Sequence, residues 1–235
     1  MFLIINLILL GISLLFSFNE KANFYSKSKY LLTSLSITIV FFSILDLFFT
    51  AFGIWKYDLN KSIGFAIFQV PIGAFLLYGV LCFCFLVCFE YINSHTKKGI
   101  SKKATDFITI ILFLIYFIVG LVSLGNMYTS LIAIFLAVLF FQFLLFPPRW
   151  LPNFYKTFAI IILPLLISQL YIMSLKLITY NITEKSQVDI INIPIENGSL
   201  LLLIGIVSVF TYQLFMPKKR KKKVRSKMIE KENNI

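Results

Sequence analysis

The sequence predicts an all-α membrane protein with about seven transmembrane helices. Of its 235 residues, 59% are hydrophobic and 14% are charged, whereas soluble domains carry roughly 45–50% apolar and about 25% charged residues. Apolar runs of about 18 or more residues recur along the chain, and each is long enough to cross the hydrocarbon core as a helix. Basic residues gather between alternate runs, which is typical of a chain that crosses a membrane repeatedly.

The apolar runs give seven predicted spans. The first has the length of a signal peptide, but it has neither a basic start nor a small-residue cleavage site, so we expect it to remain as a helix. The loops between the runs carry most of the charge outside the C-terminal tail. The predicted spans cover residues 1–18, 30–54, 70–92, 106–125, 128–147, 156–178 and 196–216.

The positions of the basic residues predict the orientation. With the N-terminus outside, the inside segments 19–29, 93–105, 148–156 and 217–235 hold eighteen of the 22 basic residues, and the outside loops hold four. Cytoplasmic loops carry such an excess. We therefore expect a multi-pass protein of the cell inner membrane with a cytoplasmic C-terminus. The tail, with nine basic residues, is expected to anchor this topology and to contact anionic lipid at about 1 kcal/mol per basic residue.

The net charge of +12 does not indicate a nucleic-acid partner, because the charge is divided among loops and tail and follows no groove. Cys82, Cys84 and Cys88 share one apolar run with no His or acidic residue at metal-ligand spacing, so we expect buried apolar thiols. His95 is expected to be a solvated loop residue. The sequence contains no zinc signature, dinucleotide fingerprint or Walker loop, and we predict neither a metal site nor a cofactor.

Two halves of the chain repeat each other at an offset of 123 residues. Tyr57 corresponds to Tyr180, and "VPI" before the third span corresponds to "IPI" before the seventh. Each repeat holds three spans, and the extra span between them restores the direction of the second repeat. The repeats are therefore expected to lie parallel, with a site between them. The predicted parts are residues 1–92, a linker 93–127, residues 128–216, and the tail 217–235.

Acidic residues within or beside the predicted spans are scarce. Asp46 lies inside the second span and shares a helix face with Thr50. Glu90 closes the third span, where we expect it to reach the inner interface. Glu196 follows Pro194 at the start of the seventh span, which is partly ordinary helix-start chemistry. An ionisable residue beside the lipid core is costly and usually functional, so Asp46 and Glu196 are the candidate functional acids.

Four segments in order resemble the integral-membrane lycopene β-cyclases of bacteria and archaea. They read "LDLFFTAFGIWKYD", "VPIGAFLLYGVLCFCFLVCFEYI", "LPLLIS" and, after "ITYN", "IPIENGSLLLLIGIVSVFTYQL". The resemblance implies a long C40 polyene substrate in the bilayer. It also implies that an acid protonates the terminal double bond, that the cation closes on the next double bond, and that a proton is then lost without net redox change. Carboxylates and a dry aromatic lining suit this chemistry.

The family pattern, Pro-x-Glu followed by Glu or Asp in each half, is incomplete here. The first half has Gly73 and Ala74 at the acidic positions, and the second half has Glu196 but Asn197. Gly73→Glu with Ala74→Glu rebuilds the family pattern, and we expect the double variant to insert and to gain cyclase activity, because a helix N-terminus favours negative charge. The alternative is that Gly73 permits close packing of another helix. The resemblance points to Glu196 and Asp46 as catalytic candidates. The candidate substrate-positioning residues are Thr50, Trp55, Pro71, Pro194, Tyr180, Asn181 and Asn197.

Three functions remain open from the sequence. The first is lycopene cyclase-like ring closure in carotenoid biosynthesis. The second is a catalytically degenerate homologue that binds a carotenoid or a partner cyclase subunit, and a homo-oligomer is also compatible with the sequence. The third is a small membrane transporter that uses Asp46 as a proton relay, for which Asp46 and Thr50 supply little polar path.

Overall fold

A computed structural model describes residues 1–18, 24–62, 64–96, 99–191 and 193–217. These residues form seven α-helices joined by short loops. The basic tail predicted from residue 218 onward lies outside the described residues. The helices are α1 Phe2–Ser17, α2 Phe24–Ala51, α3 Ile72–His95, α4 Lys102–Val122, α5 Met127–Leu145, α6 Leu151–Ser174 and α7 Ile195–Phe215.

Six of the helices in the described residues, α2 to α7, are long and apolar enough to cross a membrane. The multi-pass all-α fold that the composition predicts is thereby confirmed. The first helix differs, because its 16 residues span about 24 Å at 1.5 Å per residue, less than the hydrocarbon core of about 30 Å. One face of α1 is buried through Phe2, Ile5 and Leu9, and the other leaves Leu7 and Leu15 exposed.

Short strands at one end of the bundle are an addition that the apolar pattern did not predict. They form three two-stranded antiparallel ladders, β1 with β4, β2 with β3, and β5 with β6. We call this end of the bundle the hairpin end. The strands are β1 Trp55–Tyr57, β2 Ala66–Ile67, β3 Val70–Pro71, β4 Ile178–Tyr180, β5 Asp189–Ile190 and β6 Ile193–Pro194.

The two halves obey the 123-residue offset element by element. Strand β1 matches β4, β2 matches β5, β3 matches β6, and α3 matches α7 at this offset. In the β1–β4 ladder, Lys56 lies opposite Thr179, its own counterpart, and Trp55 lies opposite Tyr180. A local two-fold axis therefore passes through the centre of this ladder. Because α3 and α7 both begin at the hairpin end, the two halves run in the same direction, as the sequence predicts.

The two-fold ladder is closed by a matched pair of backbone hydrogen bonds. Asp58 N–H donates to Leu177 O at 3.1 Å, and Asn181 N–H donates to Ile54 O at 2.8 Å. Asp58 and Asn181 also begin matching 3-10 turns, and each side chain accepts a backbone N–H two residues on. Backbone groups that lie close to lipid must be satisfied within the protein, and the two halves achieve this by pairing with each other.

Helices α3 and α7 form the centre of the bundle. Helices α1 and α2 pack on α3, α5 and α6 pack on α7, and α4 packs mainly on α5. Gly205 sits where α7 meets Phe85 of α3, and a Cβ at this position would lie 2.6 Å from the Phe85 ring. The central crossing therefore requires glycine, as small residues commonly permit close helix contact in membranes.

The opposite end of the bundle holds a buried ion pair. The Glu90 carboxylate, expected at the interface, is 1% exposed and pairs with Lys27 of α2. At the same end, α6 is joined to α3 by a hydrogen bond from Asn153 Nδ2 to Asn93 Oδ1 at 2.8 Å. This burial corrects the expectation that the Glu90 side chain extends to the inner interface. The side chain stays within the bundle because α2 brings the Lys27 ammonium group to it.

We expect the hairpin end to face away from the cytoplasm, because the basic loops gather at the other end. A reporter that is active only in the cytoplasm should be active when fused after Ile235 and silent when inserted after Asn60, in the exposed turn of the hairpin end. Enzymatic activity of the reporter and its level on an immunoblot are measured together. Activity at the Asn60 insertion and silence at the C-terminal fusion would reverse the orientation.

Candidate functional site

Asp46 is fully buried near the end of α2 and accepts hydrogen bonds from two side chains of β1. Trp55 Nε1–H donates to Asp46 Oδ1 at 2.9 Å. The Tyr57 hydroxyl lies 2.9 Å from Oδ1 and 2.8 Å from Oδ2. The chain turns back through 52–54 so that β1 returns over the last turns of α2. The local fold thus gives a carboxylate in an apolar helix the partners that a buried acid requires.

The Tyr57 hydroxyl donates to Asp46 and keeps its proton more firmly than an ordinary phenol. Burial raises the pKa of the Tyr57 phenol well above its usual range, and the charge of Asp46 adds to the rise. A phenol that keeps its proton can donate a hydrogen bond to Asp46 but does not itself become negatively charged. A negative charge on the Tyr57–Asp46 pair therefore lies on the Asp46 carboxylate.

Aromatic rings from both halves surround these groups. Trp55 makes edge contacts with Phe49 and Tyr128, with ring centroids 4.8 Å and 5.3 Å apart. Tyr180, opposite Trp55 in the ladder, stacks on Tyr128 at 5.7 Å. Such rings present their negative faces to a cation, so the cluster of Phe49, Trp55, Tyr128 and Tyr180 can stabilise a positive charge in a dry setting.

Asn197 is the polar centre of the second half. Its Oδ1 accepts hydrogen bonds from the Tyr128 hydroxyl at 2.9 Å and the Tyr180 hydroxyl at 3.1 Å. Its Nδ2 donates to Gln169 Oε1 of α6 at 3.3 Å. Both polar atoms of its side chain are used inside the protein, and Asn197 ties α5, α6, α7 and β4 together at one point.

Glu196, the neighbouring residue, points toward α5. Its Oε1 accepts hydrogen bonds from Thr129 Oγ1 at 2.5 Å and from the backbone N–H of Ser186 at 2.7 Å. Its Oε2 is buried and has no hydrogen-bond partner among the described residues. A carboxyl group with one oxygen accepting two bonds and the other unpartnered is suited to carry a proton on the free oxygen.

Asp46 and Glu196 have different hydrogen-bond partners, but the charges of both affect the pKa of Tyr180. Burial raises the pKa of the Tyr180 phenol, and the charges of both Asp46 and Glu196 add to this rise. Tyr180 therefore lies within electrostatic reach of both carboxyl groups. Charge placed on either acid is felt in the same aromatic cluster.

A cavity lies between the halves at this level. Its walls come from both halves and include Trp55, Tyr57, Tyr78, Tyr180 and Asn197. Its volume is about 40 Å³, close to the volume of a single water in the liquid and far below the roughly 300–1,000 Å³ of ligand pockets. A larger substrate group can enter only when the surrounding side chains move apart.

The surroundings of the cavity are asymmetric, because residues that correspond at the offset of 123 differ in chemistry. The counterpart of Asp46 is Gln169. Gln169 lines the cavity, whereas Asp46 lies behind its hydrogen-bond partners Trp55 and Tyr57, which line it. The counterpart of Glu196 is Gly73, where an added Cβ would lie 2.7 Å from Phe2 Cβ of α1. The alternative that Gly73 permits close helix packing is confirmed, and α1 fills the space that an acid would need.

The structure brings some of the predicted site residues together and leaves others apart. Trp55, Tyr180 and Asn197 line the cavity. Thr50 lies one turn beyond Asp46, and its hydroxyl has no partner among the described residues. Asn181 is exposed and caps a 3-10 turn. Pro71 and Pro194 are the residues directly before α3 and α7, so these last three residues lie in the frame of the site.

The sequence analysis missed further residues of the site, namely Phe49, Tyr57, Tyr78, Tyr128, Thr129 and Gln169. The repeat contains a signal for two of them, because Gln169 is the counterpart of Asp46 and Thr129 is the counterpart of Asn6. The structure shows the same relation, since Asn6 Nδ2 donates to Gly73 O at 2.9 Å where Thr129 contacts Glu196. Tyr78 and Tyr128 carry no such signal, because their counterparts are the hydrophobic residues Leu201 and Ile5.

Comparison with known proteins gives one match. A family model described as lycopene cyclase matches residues 1–92 and 125–215. The matched ranges contain Asp46, Glu196 and the paired strands, and they leave out the whole of α4. No curated protein and no solved structure matches the chain.

Asp46→Ala should destabilise the protein, because it leaves two buried donors, Trp55 Nε1–H and the Tyr57 hydroxyl, without their acceptor. An unsatisfied buried group costs about 1–3 kcal/mol. Asp46→Asn keeps one acceptor oxygen and should cost less. Ser43→Ala, which removes a hydroxyl of the same helix that has no partner among the described residues, is the matched control and should be near neutral. Thermal unfolding in detergent measures the order, and an Asp46→Ala midpoint equal to that of Ser43→Ala would contradict the assigned hydrogen bonds.

Proposed function

The chain belongs to the lycopene cyclase family, and we propose that it closes a ring at the end of a linear C40 polyene by proton-initiated cyclisation. The family and the apolar helices support a multi-pass membrane protein of carotenoid biosynthesis with a cyclase-like function. The observation that carries the proposal is the pair of buried carboxyl groups next to one aromatic cluster. Asp46 accepts a hydrogen bond from Trp55 of the cluster, and Glu196 accepts one from Thr129, the chain neighbour of Tyr128. We place the protein in the cell inner membrane.

Glu196 is the proposed acid. In the neutral form its proton sits on Oε2, because Oε1 already accepts hydrogen bonds from Thr129 and from Ser186 N–H. Transfer of that proton to the terminal double bond leaves a carboxylate whose Oε1 remains hydrogen-bonded. Donors aimed at the group that becomes charged lower the barrier.

Asp46 is the proposed stabiliser of the cation and the acceptor of the departing proton. It faces Trp55 and Tyr57, which only donate to it, so its lone pairs carry the negative charge. The cation formed by protonation closes on the next double bond, which makes the ring bond and moves the positive charge into the ring. Loss of a proton then restores a double bond, and the proton count of the substrate is unchanged.

Substrate entry requires the cavity to widen. The hydrogen bond between Asn197 Nδ2 and Gln169 Oε1 is the longest of the three that the Asn197 side chain makes, at 3.3 Å. It joins α6 to α7 at the edge of the cavity, so its loss would separate the two walls. We propose that the polyene end displaces this contact. Pro71 and Pro194 fix the starts of α3 and α7, and Asn181 caps the turn after β4. Thr50 lies one helical turn from Asp46.

The degenerate alternative, a carotenoid-binding or partner-subunit protein, rests on a separate observation. Only the second half has a motif carboxylate, and the corresponding space in the first half is filled by Phe2. A site that works from one half needs one acid, which the second half supplies. A catalytically inactive protein with the same geometry would bind a polyene and leave it linear. Analysis of the pigments made in the presence of the protein therefore distinguishes an active cyclase from a binding protein.

Glu196→Gln should remove cyclisation without removing the protein. The amide keeps the size of the side chain and an acceptor for Thr129 but supplies no acidic proton, and loss of a general acid commonly costs about 10²–10⁴ in rate. The test is expression in a lycopene-producing bacterium with pigment chromatography and an immunoblot of membranes. Cyclic carotene from the parent and lycopene alone from the variant support the acid. Lycopene alone from a well-expressed parent supports the degenerate alternative, and equal cyclic carotene from both assigns the acid elsewhere.

Asn197→Asp should raise ring formation, because it restores a second motif carboxylate without a clash. The new carboxylate would still accept from Tyr128 and Tyr180, and the Gln169 amide can turn to donate. An added carboxylate that stabilises the cation by about 1.4 kcal/mol would raise the rate about tenfold. Gly73→Glu is the contrasting change, since it meets Phe2 and should lower stability by about 1–3 kcal/mol through overpacking. The same pigment assay and thermal unfolding measure both changes, and a gain from Gly73→Glu alone would reverse this ranking.

A further inference from the structure

A second, much larger concavity lies on the lipid-facing side of the second half. It is a groove of about 630 Å³ between α4, α6 and α7, bounded at the hairpin end by the β5–β6 hairpin. Ligand pockets commonly have roughly 300–1,000 Å³. The groove therefore has the volume of a binding site, whereas the cavity beside Asp46 does not.

The groove is long and apolar. Along α6 its lining extends from Tyr155 to Leu170, which is about 22 Å at 1.5 Å per residue. Among the described residues that line it none is charged, and its one internal polar contact joins the Tyr116 hydroxyl to Ser199 Oγ at 3.2 Å. A phospholipid headgroup would find no charged partner in this lining. An extended hydrocarbon without a headgroup matches both the length and the chemistry.

The groove exists in one half only, because α4 forms one of its walls. Helix α4 packs on α5 and touches α6, and no second helix of this kind belongs to the repeat among the described residues. The whole of α4 also lies outside the ranges that match the family. The asymmetry coincides with that of the acids, since the half that has the groove is the half that has Glu196.

The groove ends beside the site. Leu170 and Gly198 line the groove, and their chain neighbours Gln169 and Asn197 line the cavity. Groove and cavity thus lie on two sides of the α6–α7 contact at the same level. Ile191, at the hairpin rim of the groove, has a φ of 51°, which is rare for a β-branched residue. The hairpin accepts this conformation and places Ile191 at the groove.

We propose that this groove binds the linear part of a polyene while its end enters the cavity between the halves. The inference rests on the proposed function for the identity of the hydrocarbon, and it adds the place where most of the substrate lies. In this arrangement the acyclic chain crosses the α6–α7 contact beside Asn197. The cavity needs to hold only the reacting end group.

The chain offers a matched pair of glycines for the test. A Cβ added at Gly198, in the groove, or at Gly11, on α1, meets no atom within 4 Å. A larger side chain therefore meets no clash at its Cβ at either position, but only at Gly198 does it enter the groove. Ala159→Trp, on the α6 wall, is a second blocking variant from another helix.

The experiment measures lycopene retained by purified protein, independently of turnover. Each variant is combined with Glu196→Gln, expressed in a lycopene-producing bacterium, purified in mild detergent and assayed for pigment per protein by absorbance. Membrane level and thermal midpoint confirm folding. We expect Gly11→Phe to retain the parental amount. Both Gly198→Phe and Ala159→Trp should retain less than about one tenth of it, because each places a large ring in the space that the hydrocarbon would occupy.

The outcomes separate this inference from the proposed function. If the Glu196→Gln protein retains lycopene and the blocking variants abolish this retention, the groove is supported. This holds even when the protein with Glu196 forms no cyclic carotene, and that result contradicts only the proposed ring closure. Parental retention in both blocking variants overturns the groove, whatever the parent makes. Absence of bound lycopene in the parent, or phospholipid retained in its place, also overturns it.

Discussion

The pairing of β1 with β4 is the interaction on which the rest of the structure depends. Two apolar halves that cross a membrane must satisfy the backbone groups of the chain where it turns. Here each half satisfies the other, through a ladder centred on Lys56 and Thr179 and flanked by matched bonds at Asp58 and Asn181. The ladder sets the two-fold relation, and the cavity lies beside its centre because side chains of both strands, Trp55 and Tyr180 among them, line it.

The two halves carry different polar residues at corresponding positions around this symmetric frame. This difference makes the two sides of the site chemically distinct. Asp46 has an amide, Gln169, as its counterpart, and Glu196 has Gly73. Helix α1 packs so close to Gly73 that no side chain fits, whereas α5 brings Thr129 to Glu196. In the mechanism that we propose, one half therefore supplies the acid that releases a proton, and the other supplies a carboxylate held by donors. This division of roles suits a reaction that gives a proton at one point and removes it at another.

The linking helix adds a second inequality. Because α4 packs beside α5 and reaches α6, it converts one lipid-facing surface into a walled groove. The surface of the first half has no corresponding helix among the described residues. Duplication thus supplies the frame, and the unduplicated helix together with the altered motif positions makes one half of the molecule different from its copy.

The sequence by itself determined the membrane class, the seven helices to within a few residues, the parallel repeat and the family, because these depend on apolar runs, charge and spacing along the chain. It also singled out Asp46 and Glu196, since ionisable residues are rare in apolar segments. Only the tertiary structure decided which donors hold each acid, because Trp55, Tyr57 and Thr129 reach them through turns and helix packing that leave no periodic pattern. The short strands, the closure of Gly73 by Phe2 and the groove behind α7 likewise follow from contacts between distant segments, which local sequence does not specify.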